Sequence, residues 1–102
     1  MQTQQHTGGV AVSAIWQAKP GEADAIAAIL ARLGEAARSE PGVKLFLVHR
    51  GTTDSEQFMF YELFEDEAAF VAHQQTAHFK ALVLEQGLPK LTKRERVQYS
   101  LL

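Results

Sequence analysis

Four segments of the chain carry the apolar patterns of β-strands. They span residues 10–17, 43–50, 57–64 and 94–101, and each is either rich in β-branched and aromatic residues or alternates apolar with polar positions. Between the first two segments, apolar residues recur at helical spacing from Glu22 to Ala37. Glu40-Pro41-Gly42 then predicts the end of this helix, because a residue before proline avoids the helical region.

A second helical region is predicted between the third and fourth strands, and it is broken in two. Asp66 is the predicted N-cap of its first part, and Thr76 that of its second part, which ends before Gly87-Leu88-Pro89. The order β-α-β-β-α-β predicts an α+β fold of the ferredoxin-like type, with both helical regions on one face of an antiparallel sheet. We expect one domain over residues 10–102, after a disordered polar tail over residues 1–9.

Both faces of the predicted sheet are apolar, although helices cover only one. The uncovered face is predicted to carry Ile15, Phe46, Val48, Met59, Tyr61 and Leu63. An exposed surface of that size exceeds the few hundred Å² that soluble monomers usually tolerate. We therefore expect a homodimer in which the two sheets pack face to face.

Composition excludes several classes of function. The 102 residues carry a formal net charge of -2, which gives no basic surface for nucleic acid or anionic membranes. Zero cysteines exclude disulfides, a thiolate nucleophile and cysteine-based metal sites. No apolar run approaches the roughly 18 residues of a membrane span. We expect a cytoplasmic protein.

Two ionisable residues fall at positions that are predicted to be buried. His73 lies one helical turn from Phe70 and faces the sheet, either as a hydrogen-bonded core residue or as a base. Glu62 alternates with Phe60 and Phe64, where a carboxylate is costly to bury unless it is paired. A Glu62–His73 pair would satisfy both residues; the alternative is a glutamate at the sheet rim, bonded to backbone or arginine.

The sequence offers only weak motifs for binding a metal ion, a phosphate group or another ligand. His73 and His78 are five residues apart, which does not place them on one helical face, and no acidic residue completes a ligand set, so we expect no metal. The chain has neither a glycine-rich phosphate loop nor a nucleophile elbow. Trp16 and the phenylalanines are compatible with an apolar pocket as well as with an ordinary core.

Residues 60–80, FYELFEDEAAFVAHQQTAHFK, resemble the signature of the antibiotic biosynthesis monooxygenase family. Lys19-Pro20-Gly21 and Glu40-Pro41-Gly42 are similar to further landmarks of that family. The resemblance implies dimeric α+β barrels of ferredoxin-like subunits, with a pocket between each sheet and its helices. It also implies the chemistry of cofactor-independent quinol and anthrone oxygenases. The heme-degrading branch differs, because its asparagine, tryptophan and histidine correspond here to Ala14, Phe64 and Val83, so heme degradation is not expected.

The resemblance leads to an expected function. It implies a monooxygenase that uses no cofactor and oxidises a small phenolic, quinol or polyketide-like aromatic compound with dioxygen. The expected catalytic residues are His73, Glu62 and His78, and the expected substrate-binding residues are Trp16, Phe60, Phe64 and Tyr61, the last with a dimer contact as its first role. Two alternatives remain, a non-catalytic dimeric binder of small aromatic compounds and an isomerase on the same fold.

Overall fold

The computed structural model describes residues 9–102 and has the predicted order of elements. The elements are β1 (Val10–Ala18), α1 (Ala23–Arg38), β2 (Val43–Arg50), β3 (Gln57–Phe64), α2 (Glu67–Gln74), a π-helix (Phe79–Gly87), a 3₁₀ turn (Leu88–Lys90) and β4 (Leu91–Ser100). The strands form one sheet in the order β2-β3-β1-β4, and every neighbouring pair is antiparallel. This is the predicted α+β fold of the ferredoxin-like type.

The two parts of the second helical region begin at the predicted caps. The Asp66 carboxylate accepts a hydrogen bond from the backbone N–H of Ala69 at 2.9 Å. The Thr76 hydroxyl accepts one from the N–H of Phe79 at 3.1 Å. The second part is a π-helix, which apolar spacing did not predict, and such helices are uncommon and often occur at functional sites.

The core lies between the helices and one face of the sheet. Alternate strand residues point toward the helices, and those from β1 and β3 are all buried. The most completely buried side chains of this layer are Trp16, Phe46, Phe58, Phe64, Ile26, Leu30 and Leu33.

The predicted orientation of β2 is wrong. Phe46 is 1% exposed and lies beneath the helices, and Val48 faces the same way, whereas Leu45 and Leu47 are each 43% exposed on the opposite face. The register between β2 and β3 shifts between Val43 and Leu45, and a slip of one residue exchanges the two faces of a strand. Because both sets of side chains are apolar, their alternation alone did not determine which set would be buried.

The open face of the sheet is nevertheless apolar, as predicted. Its large side chains are between 38% and 52% exposed in the single chain, and they are Leu45, Leu47, Met59, Val97 and Tyr99. Ile15 and Tyr61 are partly exposed beside them, while Leu63 is 3% exposed. We call Leu45, Leu47, Met59, Val97 and Tyr99 the open-face cluster. Of the residues from which the sequence predicts a dimer, Met59 belongs to this cluster, whereas Phe46 and Val48 lie on the other face.

The predicted tail lies outside the described residues except for Gly9. Gly9 is buried, and its carbonyl accepts a hydrogen bond from the backbone N–H of Leu101 at 3.3 Å. Within residues 9–102, every helix is too short or too polar to cross a membrane.

We expect the substitution Gly42→Ala to destabilise the fold by about 1–3 kcal/mol, as overpacking usually does. A Cβ at Gly42 would overlap the Ala69 side chain and lie 3.4 Å from its Cα, on the backbone of α2. Urea unfolding at a fixed protein concentration measures the change.

Gly34→Ala is the matched control within α1. Its new Cβ would meet only the Arg38 guanidinium, 3.0 Å away at the end of a flexible side chain, and a helix gains up to about 1 kcal/mol from this exchange. Equal stability of Gly42→Ala and the unsubstituted chain would contradict the close packing of the turn against α2.

Candidate functional site

A small cavity lies between the helical layer and the sheet. Its walls are mostly aromatic and aliphatic, and it is lined by Ala14, Trp16, Leu33, Phe46, Phe60, Glu62, Phe70, His73, Phe79, Val83, Arg94 and Arg96. Trp16 and Phe60 line it as predicted, with ring centroids 5.0 Å apart. The cavity volume of about 20 Å³ is room for roughly one water molecule.

The carboxylate of Glu40 connects the two histidines of the second helical region. It lies 3.0 Å from Nδ1 of His73 and 2.5 Å from Nε2 of His78. Because an ionised carboxylate only accepts hydrogen bonds, both ring nitrogens donate to it. One side chain therefore fixes the orientation of both rings.

Glu40 is held in place by the turn that follows α1. Its N–H donates to the carbonyl of Ala37 at 3.0 Å, and its carbonyl accepts from the N–H of Val43 at 3.2 Å. The carbonyl of Gly42 accepts from the N–H of Glu65 at 2.9 Å, which keeps this turn beside the start of α2. Sequence reasoning assigned Glu40 only to the end of the helix, and the one signal for its role was that a buried histidine needs a partner.

The predicted Glu62–His73 pair is therefore wrong. His73 bonds to Glu40, and within residues 9–102 Glu62 has no side-chain hydrogen bond, although it is only 6% exposed. Burial raises the pKa of Glu62 to about 7, against the opposing charges of Arg96 and Arg94 and with a smaller contribution from the charge of Glu40. A carboxyl with this pKa gives and takes protons near neutral pH.

His73 is a buried imidazole that lies among aromatic rings. It is 2% exposed, and the ring centroids of Phe46, Phe64 and Phe79 lie 5.6, 5.3 and 5.3 Å from its own. Burial lowers its pKa, and this outweighs the opposing effect of Glu40. The ring is therefore neutral at pH 7, with its proton on Nδ1 and a free lone pair on Nε2.

His78 has a different position from His73. Its side chain is 27% exposed and lies outside the cavity lining, and its bond to Glu40 stabilises the carboxylate that orients His73.

Phe64 also lies outside the lining and packs against Val10, Val12 and Phe70. Tyr61 is on the open face of the sheet, opposite Ser13.

Glu40, His73 and His78 have the composition of a metal site. One ligand atom from each lies within 4.8 Å of the others, and two histidines with one carboxylate are a ligand set for zinc or non-heme iron. The expectation that no acidic residue completes the histidine pair is wrong, because Glu40 comes from 33 residues earlier in the chain than His73. The same atoms form the hydrogen bonds described above.

A larger groove of about 290 Å³ lies between α1 and β2. Its polar side chains are His49, Arg38 and Arg50. Arg38 donates to the carbonyl of Phe46, and Arg50 is paired with Asp24. The smaller cavity is the candidate site because it contains the buried ionisable groups.

We expect the substitution Glu62→Gln to stabilise the protein in a pH-dependent way. The carboxyl of Glu62 binds its proton more tightly in the folded chain, because its pKa there is about 7, against 4.5 in the unfolded chain. The protonated carboxyl therefore contributes fully to the stability of the fold below pH 4.5, and this contribution is lost as the pH rises to about 7. The loss is roughly 3 kcal/mol for a shift of this size. Urea unfolding at pH 5 and pH 8 compares the variant with the parent protein, and a stability difference that does not grow with pH would contradict the raised pKa.

Comparison with known proteins supports the sequence resemblance. The family model described as antibiotic biosynthesis monooxygenase matches residues 9–84. A solved structure from Pseudomonas aeruginosa is 28% identical with a TM-score of 0.88, and the alignment covers 95% of this chain and 97% of that one. A crystal structure described as an antibiotic biosynthesis monooxygenase is 26% identical with a TM-score of 0.85, covering 91% and 98%.

A putative antibiotic biosynthesis monooxygenase from Nitrosomonas europaea has the same fold, with a TM-score of 0.88 at 21% identity over 94% of this chain and 92% of that one. Comparison with curated protein sequences found no match. Since the family match extends from the start of β1 into the π-helix, the chain belongs to the antibiotic biosynthesis monooxygenase family.

Proposed function

We propose that this protein is a cofactor-independent monooxygenase that oxidises a small phenolic, quinol or polyketide-like aromatic compound with dioxygen. The observation that carries the proposal is a buried, neutral His73 whose Nδ1 is fixed by Glu40 at an aromatic cavity. An anchored imidazole with one free nitrogen is the arrangement of a general base. Trp16 and Phe60 supply flat apolar walls for an aromatic ring.

The reaction begins with removal of a substrate proton by Nε2 of His73. Glu40 stabilises the imidazolium that forms, because the ring donates to its carboxylate. The aromatic anion transfers one electron to dioxygen, and the resulting radical and superoxide combine to form a carbon–oxygen bond. The adduct then loses water to give the quinone. A hydroquinone and O₂ thus give a hydroxyquinone and one water, and the substrate supplies the electrons.

Glu62 is the second proton-transfer group. Its buried carboxyl, with a pKa of about 7, is protonated in part of the molecules at neutral pH and can protonate the oxygen adduct before water leaves. His78 acts through Glu40 and is a positioning residue.

A substrate larger than water requires the cavity to widen. The π-helix is the element best placed to move, because it supplies Phe79 and Val83 to the lining and packs Gly87 closely against Trp16. π-Helices are rare and occur frequently at functional sites. We infer that substrate entry displaces this helix from the sheet.

An isomerase is the second candidate, and it is favoured because Glu62 and His73 both line the same cavity. A neutral imidazole and a carboxyl with a pKa of about 7 can remove a proton from one carbon and return it to another. This reaction consumes no oxygen. Solvent deuterium incorporation without oxygen uptake identifies it.

We expect oxygen uptake with hydroquinones and anthrones to fall about 100-fold or more in His73→Ala, the usual loss when a general base is removed. Glu40→Gln is expected to retain part of the rate and to move the acid limb of the pH–rate profile to lower pH, since Glu40 raises the pKa of His73. An oxygen electrode measures the rate, and product analysis confirms incorporation of one oxygen atom.

Glu35→Gln is the matched control, because Glu35 is exposed on α1 and lies outside the cavity lining. The protein is treated with a chelator beforehand, and zinc or ferrous iron is added back in separate reactions. Uptake that is absent across the panel, unchanged in His73→Ala, or dependent on the added metal would contradict a cofactor-independent oxygenase that uses this base.

We also propose that two copies associate through the open-face cluster. Supporting this, five large apolar side chains lie together on a sheet face that none of the helices within residues 9–102 covers. Burying such a surface contributes about 25 cal/mol per Å². The cluster lies on the face opposite the cavity, so both copies keep their own site.

We expect Leu47→Glu to convert the dimer into a monomer, because it places a charge within the apolar surface that the dimer would bury. Val71→Glu is the control, since Val71 is similarly exposed at 42% but lies on α2. Sedimentation velocity measures the mass of each variant. A parent protein that sediments as a single 11.3 kDa chain at micromolar concentration would rule out the dimer.

A further inference from the structure

Arg94 and Arg96 form the mouth of the cavity. Every other lining residue is buried, whereas these two are exposed, so they form the side of the cavity that borders solvent. They lie opposite Trp16 and Ala14 on β1, and their side chains therefore lie on the cavity side of the sheet. Lys93 and Glu95 alternate with them on the open face.

The two arginines carry positive charge that the described residues do not balance. Within residues 9–102 neither has a carboxylate within ion-pair distance, in contrast to Arg50, Lys90 and Lys93, each of which has an acidic partner. Arg96 instead donates to the Gln74 amide oxygen, with its two terminal nitrogens 3.1 and 3.2 Å away, once that amide is oriented to accept. Its guanidinium carbon lies 5.7 Å from the centroid of the Phe70 ring.

The acidic groups nearest the cavity do not neutralise this charge. Glu40 is bonded to the two histidines, and Glu62 has a pKa of about 7, so it carries only part of a negative charge at neutral pH. Burial and the charge of Arg96 lower the pKa of Arg94, yet a guanidinium remains protonated in proteins. The mouth of the cavity is therefore positive while its walls are aromatic.

We propose that Arg94 and Arg96 form an anion subsite, and that the ligand of this cavity is an aromatic compound bearing a carboxylate. The ring lies against Trp16 and Phe60, and the carboxylate remains at the mouth, where a guanidinium donates two parallel hydrogen bonds to it. Residues two apart on a strand are separated by about 7 Å, so both arginines can flank one anionic group. The inference rests on the proposed function for the cavity as the substrate site, but it concerns binding rather than the reaction.

The test compares two ligands of equal shape and different charge, 2-naphthoate and 2-naphthamide. Isothermal titration calorimetry gives their affinities for the full chain. Quenching of Trp16, the one tryptophan of the sequence, shows whether each ligand reaches the cavity, because Trp16 lines it. We expect the carboxylate to bind about tenfold more tightly than the amide at low ionic strength, and the difference to shrink as salt is added.

Substitutions distinguish binding at the anion subsite from general electrostatic attraction between the ligand and the protein. Arg94→Gln and Arg96→Gln are each expected to weaken binding of the carboxylate about tenfold and to leave binding of the amide unchanged. Arg96→Lys is expected to give an intermediate loss, because lysine keeps the charge but loses the paired hydrogen bonds. Lys93→Gln removes a positive charge from the same strand on the opposite face, and it is expected to have no effect.

Each outcome of these measurements either supports or overturns the anion subsite. Equal affinity for the two ligands, no binding of either, or an equal loss in Lys93→Gln and Arg94→Gln would overturn the subsite. Selective binding of the carboxylate through both arginines, together with no oxygen uptake from any hydroxylated aromatic carboxylate, would support the subsite and contradict the monooxygenase.

Discussion

The contact between the Glu40 carboxylate and two imidazoles is the interaction on which the site depends. It joins the turn after α1 to α2 and to the residue before the π-helix, so a residue 33 positions earlier in the chain than His73 meets both histidines through one pair of oxygen atoms. A buried imidazole without a partner would be costly, and a buried carboxylate without one would cost more. The cluster satisfies both groups, and in doing so it fixes the proton of His73 on Nδ1.

The two carboxyl groups near the cavity differ because their surroundings differ. Glu40 accepts two hydrogen bonds and keeps 13% of its side chain exposed, whereas Glu62 is more deeply buried and has no hydrogen-bond donor within residues 9–102. The same functional group thus orients two imidazole rings at one position and has a raised pKa at the other. Desolvation decides this difference, since the arginines nearest Glu62 act against its raised pKa without reversing it.

Properties that depend on neighbouring residues in the sequence were predictable. The caps Asp66 and Thr76, the burial of Glu62 and the orientation of His73 toward the sheet all follow from patterns a few residues long. The partner of His73 was not predictable in this way, because Glu40 reaches it across a turn that only the folded chain brings close. The orientation of β2 and the π-helical winding also depend on tertiary packing, which an apolar pattern with two apolar faces does not specify.

Strand β4 contributes side chains to both faces of the sheet, and this limits the sequence changes that the strand can accept. Its even-numbered arginines face the cavity, and Val97 and Tyr99 face the open side, so the strand serves two surfaces with alternate residues. Point substitutions can therefore change the cavity lining and the open face independently of one another. A single-residue insertion or deletion within β4 would exchange the two sets, turning arginines toward the apolar surface and apolar side chains toward the cavity. Such length changes should be tolerated at the ends of this strand and selected against in its middle.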